Sequence, residues 1–313
     1  MKRFAPTDWA LILGGSSGFG LASAKKLASE GMSVAVAHRD RKSAMAGIDR
    51  EFASIRAGGA ELLAFNVDAL SPEGRAAILA ALAERLGAQG RVRVLLHSIA
   101  RGNLKLIASP RPGPTGAALA RARLAELLGV AEDKLASAIE AAAGDHDALA
   151  EIALPPAFDA ERLLDEDDFA QTIHAMGTSI VGWAMDLLGR RLFADDARVL
   201  GLTSEGNQVA WRGYAAVAAA KVTLESVVRA MAVELAPYGV RSNVLQAGIS
   251  DTPALRLIPG SARIKADARR RNPFGRLTTP EDVADVVFLM CTSEARWING
   301  AIVRVDGGEH VGG

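Results

Sequence analysis

Trp9-Ala10-Leu11-Ile12-Leu13-Gly14-Gly15-Ser16-Ser17-Gly18-Phe19-Gly20 reads as a short apolar strand running straight into a glycine loop. Glycines at 14, 18 and 20 give the pattern G-x-x-x-G-x-G, and a helix follows to about Glu30. Such a loop between strand and helix lets the backbone approach a pyrophosphate, and the helix start offers free N–H groups with a partial positive charge. A tight glycine turn without a ligand is the alternative reading; a strand before and a helix after favour dinucleotide binding. Gly14, Ser16, Ser17, Gly18, Phe19 and Gly20 are therefore the first candidate cofactor contacts.

Outward from this loop the chain alternates. A second strand, Ser33 to Ala37, ends in His38-Arg39-Asp40-Arg41-Lys42. An acid at that strand end binds the ribose 2′-hydroxyl of NAD, and an arginine accommodates the 2′-phosphate of NADP. His38 stands where the acid belongs and Arg39 follows, so NADPH is the expected cofactor over NADH; Asp40 reads as a helix cap. A strand over 62–67, a helix over 72–86 and a strand over 92–97 continue the pattern of a parallel doubly wound sheet. Asn66 and Val67 end the third strand, where adenine would lie; His97-Ser98-Ile99-Ala100 ends the fourth, and His97 is given no chemistry. The fold class expected is α/β, a Rossmann-type single domain spanning 1–313.

The alternation breaks at Arg101. A Pro- and Gly-rich loop, two helical segments (117–128 and 131–143) with stripes of Leu119, Leu124, Leu127, Leu128, Leu135 and Ile139, and an acidic, proline-containing stretch make a helical insertion at about 101–164. Its role is decoration, subunit packing or a lid. Asp165 to Asp168 suits a helix start, with one helix expected over 169–192.

A strand over 197–202 then leads to Thr203 and to a segment holding Tyr214 and Lys221, seven residues apart. At ~100° per residue that spacing falls ~20° short of two turns, so both side chains can share a helix face. A nearby ammonium is expected to lower the phenol's pKa. A strand over 240–245 ends in a second glycine turn, Gly248 to Thr252; 253–272 is expected to be irregular and basic; a helix over 282–290 and a strand over 301–305 close the chain before Asp306-Gly307-Gly308.

Composition narrows the class. Lys plus Arg equals Asp plus Glu at 36 each, which lacks the basic bias of a nucleic-acid binder. Cys291 is the only cysteine, so no intrachain disulfide forms, and a reducing cytoplasm is expected. The apolar run near the N-terminus is too short for a signal peptide, no stretch reaches the ~20 apolar residues of a membrane span, and no metal site is expected.

With the glycine loop, the Tyr/Lys pair, the Gly248–Thr252 turn and the terminal V-D-G-G in order, the chain resembles the short-chain dehydrogenase/reductase family, apart from the insertion. Most of that family has its tyrosine four residues before the lysine, where this chain has Val217. The Y-x6-K spacing, H-S-I-A at 97–100, Ser204 and the stretch G-I-S-D-T-P-A-L…R-R-R-N-P-F-G-R look like the NADPH-dependent subtype of enoyl-acyl-carrier-protein reductases. The ordinary family's helix asparagine aligns with Met176.

The resemblance implies reduction of a trans-2-enoyl thioester, with Tyr214 as hydrogen-bond donor to the thioester oxygen, Lys221 on the nicotinamide ribose and Ser204 as secondary donor. It places Arg39, Asn66, Val67, Ser98, Ile99, Ala100, Thr203, Gly248, Ile249 and Thr252 along the cofactor. A ketoreductase is the alternative, and a non-catalytic dinucleotide sensor a third. The segment at about 253–272, with Arg256, Arg263, Lys265, Arg269, Arg270 and Arg271, is expected to be a substrate lid whose charge steers an acidic acyl carrier protein. A homo-oligomer, a tetramer by resemblance, is expected, and neither a membrane nor a nucleic-acid partner.

Overall fold

Every residue of Trp9–Leu13 and Ser33–His38 is buried, as befits strands covered by helices on both faces. Their alternate side chains feed two cores. Trp9, Leu11 and Leu13 face one with Ile78, Leu82, Trp183 and Leu224; Ala10 and Ile12 face the other with Leu27, Phe52, Val283 and Met290. A computed structural model describes residues 2–110, 113, 116–143, 158–159 and 161–312.

Seven parallel strands run in the order β3-β2-β1-β4-β5-β6-β7. They are β1 (Asp8–Leu13), β2 (Ser33–His38), β3 (Leu62–Asn66), β4 (Arg91–His97), β5 (Phe193–Ser204), β6 (Val240–Ala247) and β7 (Ile302–Val305). The order reverses between β1 and β4, the place where such sheets open a crevice at the strands' carboxyl ends. On one face lie α1 (Gly18–Ser29), α2 (Met45–Ala57) and α11 (Pro280–Cys291); on the other α3 (Pro72–Leu86), α7 (Ser179–Gly189) and α8 (Ala215–Glu234). The expected Rossmann-type sheet is the one observed. No described helix is long and apolar enough to cross a membrane.

Three expectations need correction. The single helix expected over 169–192 is α6 (Glu166–Ile173), a π-helical turn (His174–Thr178) and α7. Its start is as expected: Asp165 and Asp168 form a reciprocal capping box. The segment 253–272, expected to be irregular, holds two helices, α9 (Pro253–Arg256) and α10 (Ser261–Arg271). Thr252 Oγ1 caps α9 by accepting from Leu255 N at 3.3 Å, Pro253 occupies the first helical position, and Gly260 (φ 81°) makes the break. In the insertion, α4 (Gly116–Leu128) and α5 (Glu132–Ala143) form as read, but Leu119, Leu127 and Leu128 are exposed, so that stripe is not a buried face among the described residues.

The acidic, proline-containing stretch lies largely outside the described residues. The insertion's two stems are nonetheless tied down. Leu164 N donates to Leu106 O (2.8 Å), Lys105 Nζ to Asp168 (2.6 Å) and Asn103 N to Thr172 Oγ1 (3.0 Å). The outgoing and returning stems are thus fixed together and to α6.

Candidate active site

β5 places Leu202, Thr203 and Ser204 at the sheet's carboxyl end, and α8 lies across them. Lys221 Nζ donates to Leu202 O at 2.8 Å. Burial pushes its pKa down to about 8, against the opposing charge of Glu225 one turn later. Glu225 in turn accepts from Thr203 Oγ1 (2.6 Å) and from Asn207 Nδ2. Sequence reading missed Glu225, although its i, i+4 spacing from Lys221 was available.

Tyr214 is not inside the helix but at its N-cap, with φ −110° and ψ 2°. Its hydroxyl lies 3.3 Å from Ser204 Oγ, and the Trp211 ring meets its ring edge-on at 5.4 Å. The expected lowering of its pKa is overturned. Burial raises it, only the bond to Ser204 opposes the rise, and the phenol keeps its proton.

Tyr214 belongs to an apolar cluster: Met176 and Val217 are buried with it, and Leu104, Trp211 and Ile258 pack on them. Met176 lies in the π-helical turn, and Val217 fills the ordinary family's tyrosine position. Gly102 is closely hemmed: a Cβ there would meet Val217 at 2.6 Å and Thr172 at 2.9 Å. His97 is buried and its Nε2 lies 2.8 Å from Ser179 Oγ, which donates to Ala175 O. Burial, with the charge of Lys221, pushes His97 down to about 3, so it is a neutral packing residue.

The crevice itself fits a dinucleotide. Gly14 (φ 84°) lies so close to β4's end that a Cβ would meet Ser98 O at 2.6 Å, and a Cβ on Gly20 would strike Gly14 O. These glycines pack the loop against the sheet, and Gly18 (φ 52°) faces Thr252 across the gap. Ser17 is the N-cap of α1, yet its hydroxyl makes no cap bond, leaving it and the first helical N–H groups for an anion.

At the far end, His38 Nδ1 lies 2.9 Å from Asp40. Asn66 Oδ1 accepts from Asp40 N (3.0 Å) and its amide donates to Asp40 O (3.1 Å). Asp40 is therefore a brace between β2 and β3, not the expected helix cap; Arg41 stands at that N-cap. The exposed Arg39 guanidinium pairs with Asp68 at 3.0 Å, and Arg101 reaches the same carboxylate at 3.5 Å. Two arginines share one acid there, with Asp40 beside them and Arg41 and Lys42 next in the chain. Asp68 and Arg101 were not singled out from sequence, since only the fold brings the ends of β2, β3 and β4 together.

The basic segment is also changed. Arg256 and Lys265 pair with Asp251, Arg270 with Asp267, and Arg271 with Glu205, Glu309 and Asp267. Among the described residues no cluster of His, Cys, Asp and Glu could hold a metal ion.

A doubly wound sheet with a glycine-loop crevice and a buried Tyr/Lys pair defines a nicotinamide-dinucleotide-binding protein of the dehydrogenase type. The family model for short chain dehydrogenases matches residues 8–108, and that for Enoyl-(Acyl carrier protein) reductase matches residues 131–310. The chain belongs to the short-chain dehydrogenase/reductase family. It is similar to enoyl-[acyl-carrier-protein] reductase [NADH] FabI of Aquifex aeolicus, 39% identical over 100 residues, 32% of this chain and 37% of that protein. The match thus spans little more than a third of that relative's length. Short-chain reductase protein NovJ of Streptomyces niveus is 26% identical over 307 residues, 96% of this chain and 92% of that one. The crystal structure of the Aquifex aeolicus VF5 enoyl-[acyl-carrier-protein] reductase (NADH) superposes with a TM-score of 0.71 at 22% identity, covering 98% of this chain and 97% of that one. That likeness concerns the fold.

Proposed function

We propose that this chain reduces the carbon–carbon double bond of a trans-2-enoyl thioester. The observation that carries the reading is the apolar cluster around Tyr214. Met176 and Val217 stand where a carbonyl-reducing relative has its relay asparagine and its tyrosine, and both pack with Tyr214 as apolar side chains. Among the described residues, the only hydroxyl bonded to the phenol is that of Ser204. An apolar cluster with a single polar end suits an acyl chain joined to a thioester carbonyl.

The cofactor would supply the hydride to the β-carbon. The chain's own part is electrostatic. Tyr214, kept protonated by burial, donates a hydrogen bond to the thioester oxygen as negative charge gathers there, so the bond strengthens in the transition state. Ser204 orients that hydroxyl. Lys221, anchored on Leu202 O, would hold the ribose hydroxyls and supply the local positive charge. NADPH is the favoured dinucleotide because Arg39, Arg41, Lys42 and Arg101 outnumber Asp40 and Asp68 at the β2–β3 end, although the Aquifex relative is named for NADH.

The Ser204–Tyr214 contact at 3.3 Å favours a second reading, reduction of a 3-oxoacyl or other carbonyl with Tyr214 giving up its proton directly. Oxidation of NADPH, and of NADH, with an enoyl thioester, with a 3-oxoacyl thioester and with neither separates the two. Turnover of the enoyl substrate alone supports the first reading. Turnover of the oxo substrate alone replaces it with the second. Turnover of neither, with dinucleotide bound, leaves a sensor.

Delivery on an acidic carrier protein belongs to the same proposal in narrower form. Because Arg256, Lys265, Arg270 and Arg271 are already paired with acids, the steering field of the 253–272 segment is weaker than its composition suggests. A cytoplasmic setting and a homotetramer complete the reading, the second testable by light scattering.

A further inference from the structure

The C-terminal Glu309 is almost wholly buried, and the chemistry proposed above gives it no part. Its Oε2 accepts from Ile249 N at 3.0 Å, inside the turn that follows β6. Its Oε1 takes a bond from Arg271 Nη2 at 3.1 Å. The same guanidinium donates two bonds to Glu205, Nη2 to Oε1 at 2.6 Å and Nη1 to Oε2 at 3.1 Å. Glu205 is itself buried and adjoins Ser204. One arginine at the end of α10 thus joins the end of β5, the turn after β6 and the C-terminus.

The surroundings leave little slack. A Cβ on Gly248 would meet Thr278 Oγ1 and would sit 2.8 Å from Glu309 Oε2, so the turn is pressed against the carboxylate. Asn272, next to Arg271, donates from its amide to Asp306 O at 2.9 Å, adding a second tie between α10 and the C-terminal segment. The charged groups around Glu309 are Arg271 on α10, Glu205 after β5 and Asp306 after β7. Asp267 lies 3.2 Å from Arg271 Nε and shares its charge.

We infer that Arg271, Glu205 and Glu309 are positioning residues that fix two neighbouring strand ends on the β4 side of the cofactor crevice at once, Glu309 through the Ile249 N–H and Glu205 through its neighbour Ser204. A bidentate guanidinium–carboxylate pair sets direction as well as distance, which a lysine does not reproduce. Loss of the guanidinium leaves buried carboxylates facing each other, and the ends of β5 and β6 then move independently. The inference rests on the dinucleotide-binding part of the reading above and not on the identity of the substrate.

The test uses the full chain without added substrate. Amide hydrogen exchange at Ile249 and dinucleotide affinity by fluorescence titration are measured for wild type, R271M, R271K, E309A and E309Q. Exchange at Ile249 is expected to rise at least about tenfold in E309A, with dinucleotide Kd about tenfold weaker; in E309Q, exchange is expected to return close to wild type because the amide oxygen still accepts from Ile249 N, and Kd only partly, because the amide nitrogen cannot accept from Arg271. R271M is expected to weaken dinucleotide binding by a similar factor, with R271K only partly restoring it. Wild-type exchange and wild-type Kd in folded E309A would overturn the inference, as would equal damage in E309Q and E309A, which would mean packing alone. If R271M does not fold, the Glu309 pair decides. If wild type binds no dinucleotide, the functional reading fails, while the Ile249 exchange still judges the latch.

Discussion

Tyr214 Oη and Ser204 Oγ lie 3.3 Å apart, although ten residues of chain separate them. β5 supplies the serine and the N-cap of α8 supplies the tyrosine, so the contact exists only once strand and helix have packed. Tyr214→Phe removes the group proposed to face the developing charge and leaves the ring. Turnover of the enoyl thioester is expected to fall ~10²–10³-fold, the usual loss for one oxyanion donor, with dinucleotide affinity near wild type. Near-wild-type turnover would remove Tyr214 from the chemistry.

If Arg39 meets a 2′-phosphate, as proposed, it decides cofactor choice. A charge-assisted bond contributes roughly 1.5–3 kcal/mol, or about one to two powers of ten in affinity. Arg39→Ala is expected to narrow the NADPH/NADH preference by that factor. Asp68→Asn is expected to widen it, because Asp68 competes for Arg39 and Arg101. Preference of the wild type for NADH in direct titration would contradict the assignment.

The loop glycines differ in what they tolerate. A Cβ on Gly20 strikes the Gly14 backbone, whereas Gly18 has space but a positive φ. Gly20→Ala is expected to cost about 1–3 kcal/mol of stability, as overpacking does, and to abolish dinucleotide binding. Gly18→Ala is expected to cost about 1–2 kcal/mol through backbone strain. Chemical denaturation and dinucleotide titration on the two variants check the order.

Glu309 gives the stability a pH signature. Burial, with the nearby Glu205 and Asp306 charges, raises its pKa from 4.5 to about 7. Between those values the folded chain keeps a proton that the unfolded chain has released, so this contribution is complete below the lower value and lost as pH rises through the upper. Wild type is therefore expected to lose melting temperature relative to E309Q between pH 5 and 8 (roughly the window those pKa values set). A constant difference across that window would mean Glu309 does not titrate there.

The carrier-protein reading needs variants that spare the crevice. Arg271 is committed to Glu205 and Glu309, so changing it would confuse docking with positioning. Arg263→Ala is the cleaner variant, since it lies near the start of α10 and, unlike Arg270, shares no acid with Arg271. Selective loss of kcat/KM on carrier-bound enoyl substrate over the coenzyme A thioester, fading at high salt, is expected if the segment steers a carrier. Equal effects on both substrates would mean that it does not.

By itself the sequence determined the alternating strands and helices, the glycine loop and the candidate Tyr/Lys pair. These are local signals: period-2 and period-3.6 patterning, glycines at a strand end, and a seven-residue spacing. Helices α9 and α10 were not legible, because α9 is a single turn and the apolar side of α10 is made mostly of alanines among basic residues. The expected lowering of the Tyr214 pKa was wrong, since burial, which no spacing reports, raises it. Only the tertiary structure brought Arg39, Asp68 and Arg101 to one corner, and Glu205, Arg271 and Glu309 to another. Those groupings join residues from 29 to 66 positions apart, and the sheet order that unites them is set by packing across two cores, which no local pattern encodes.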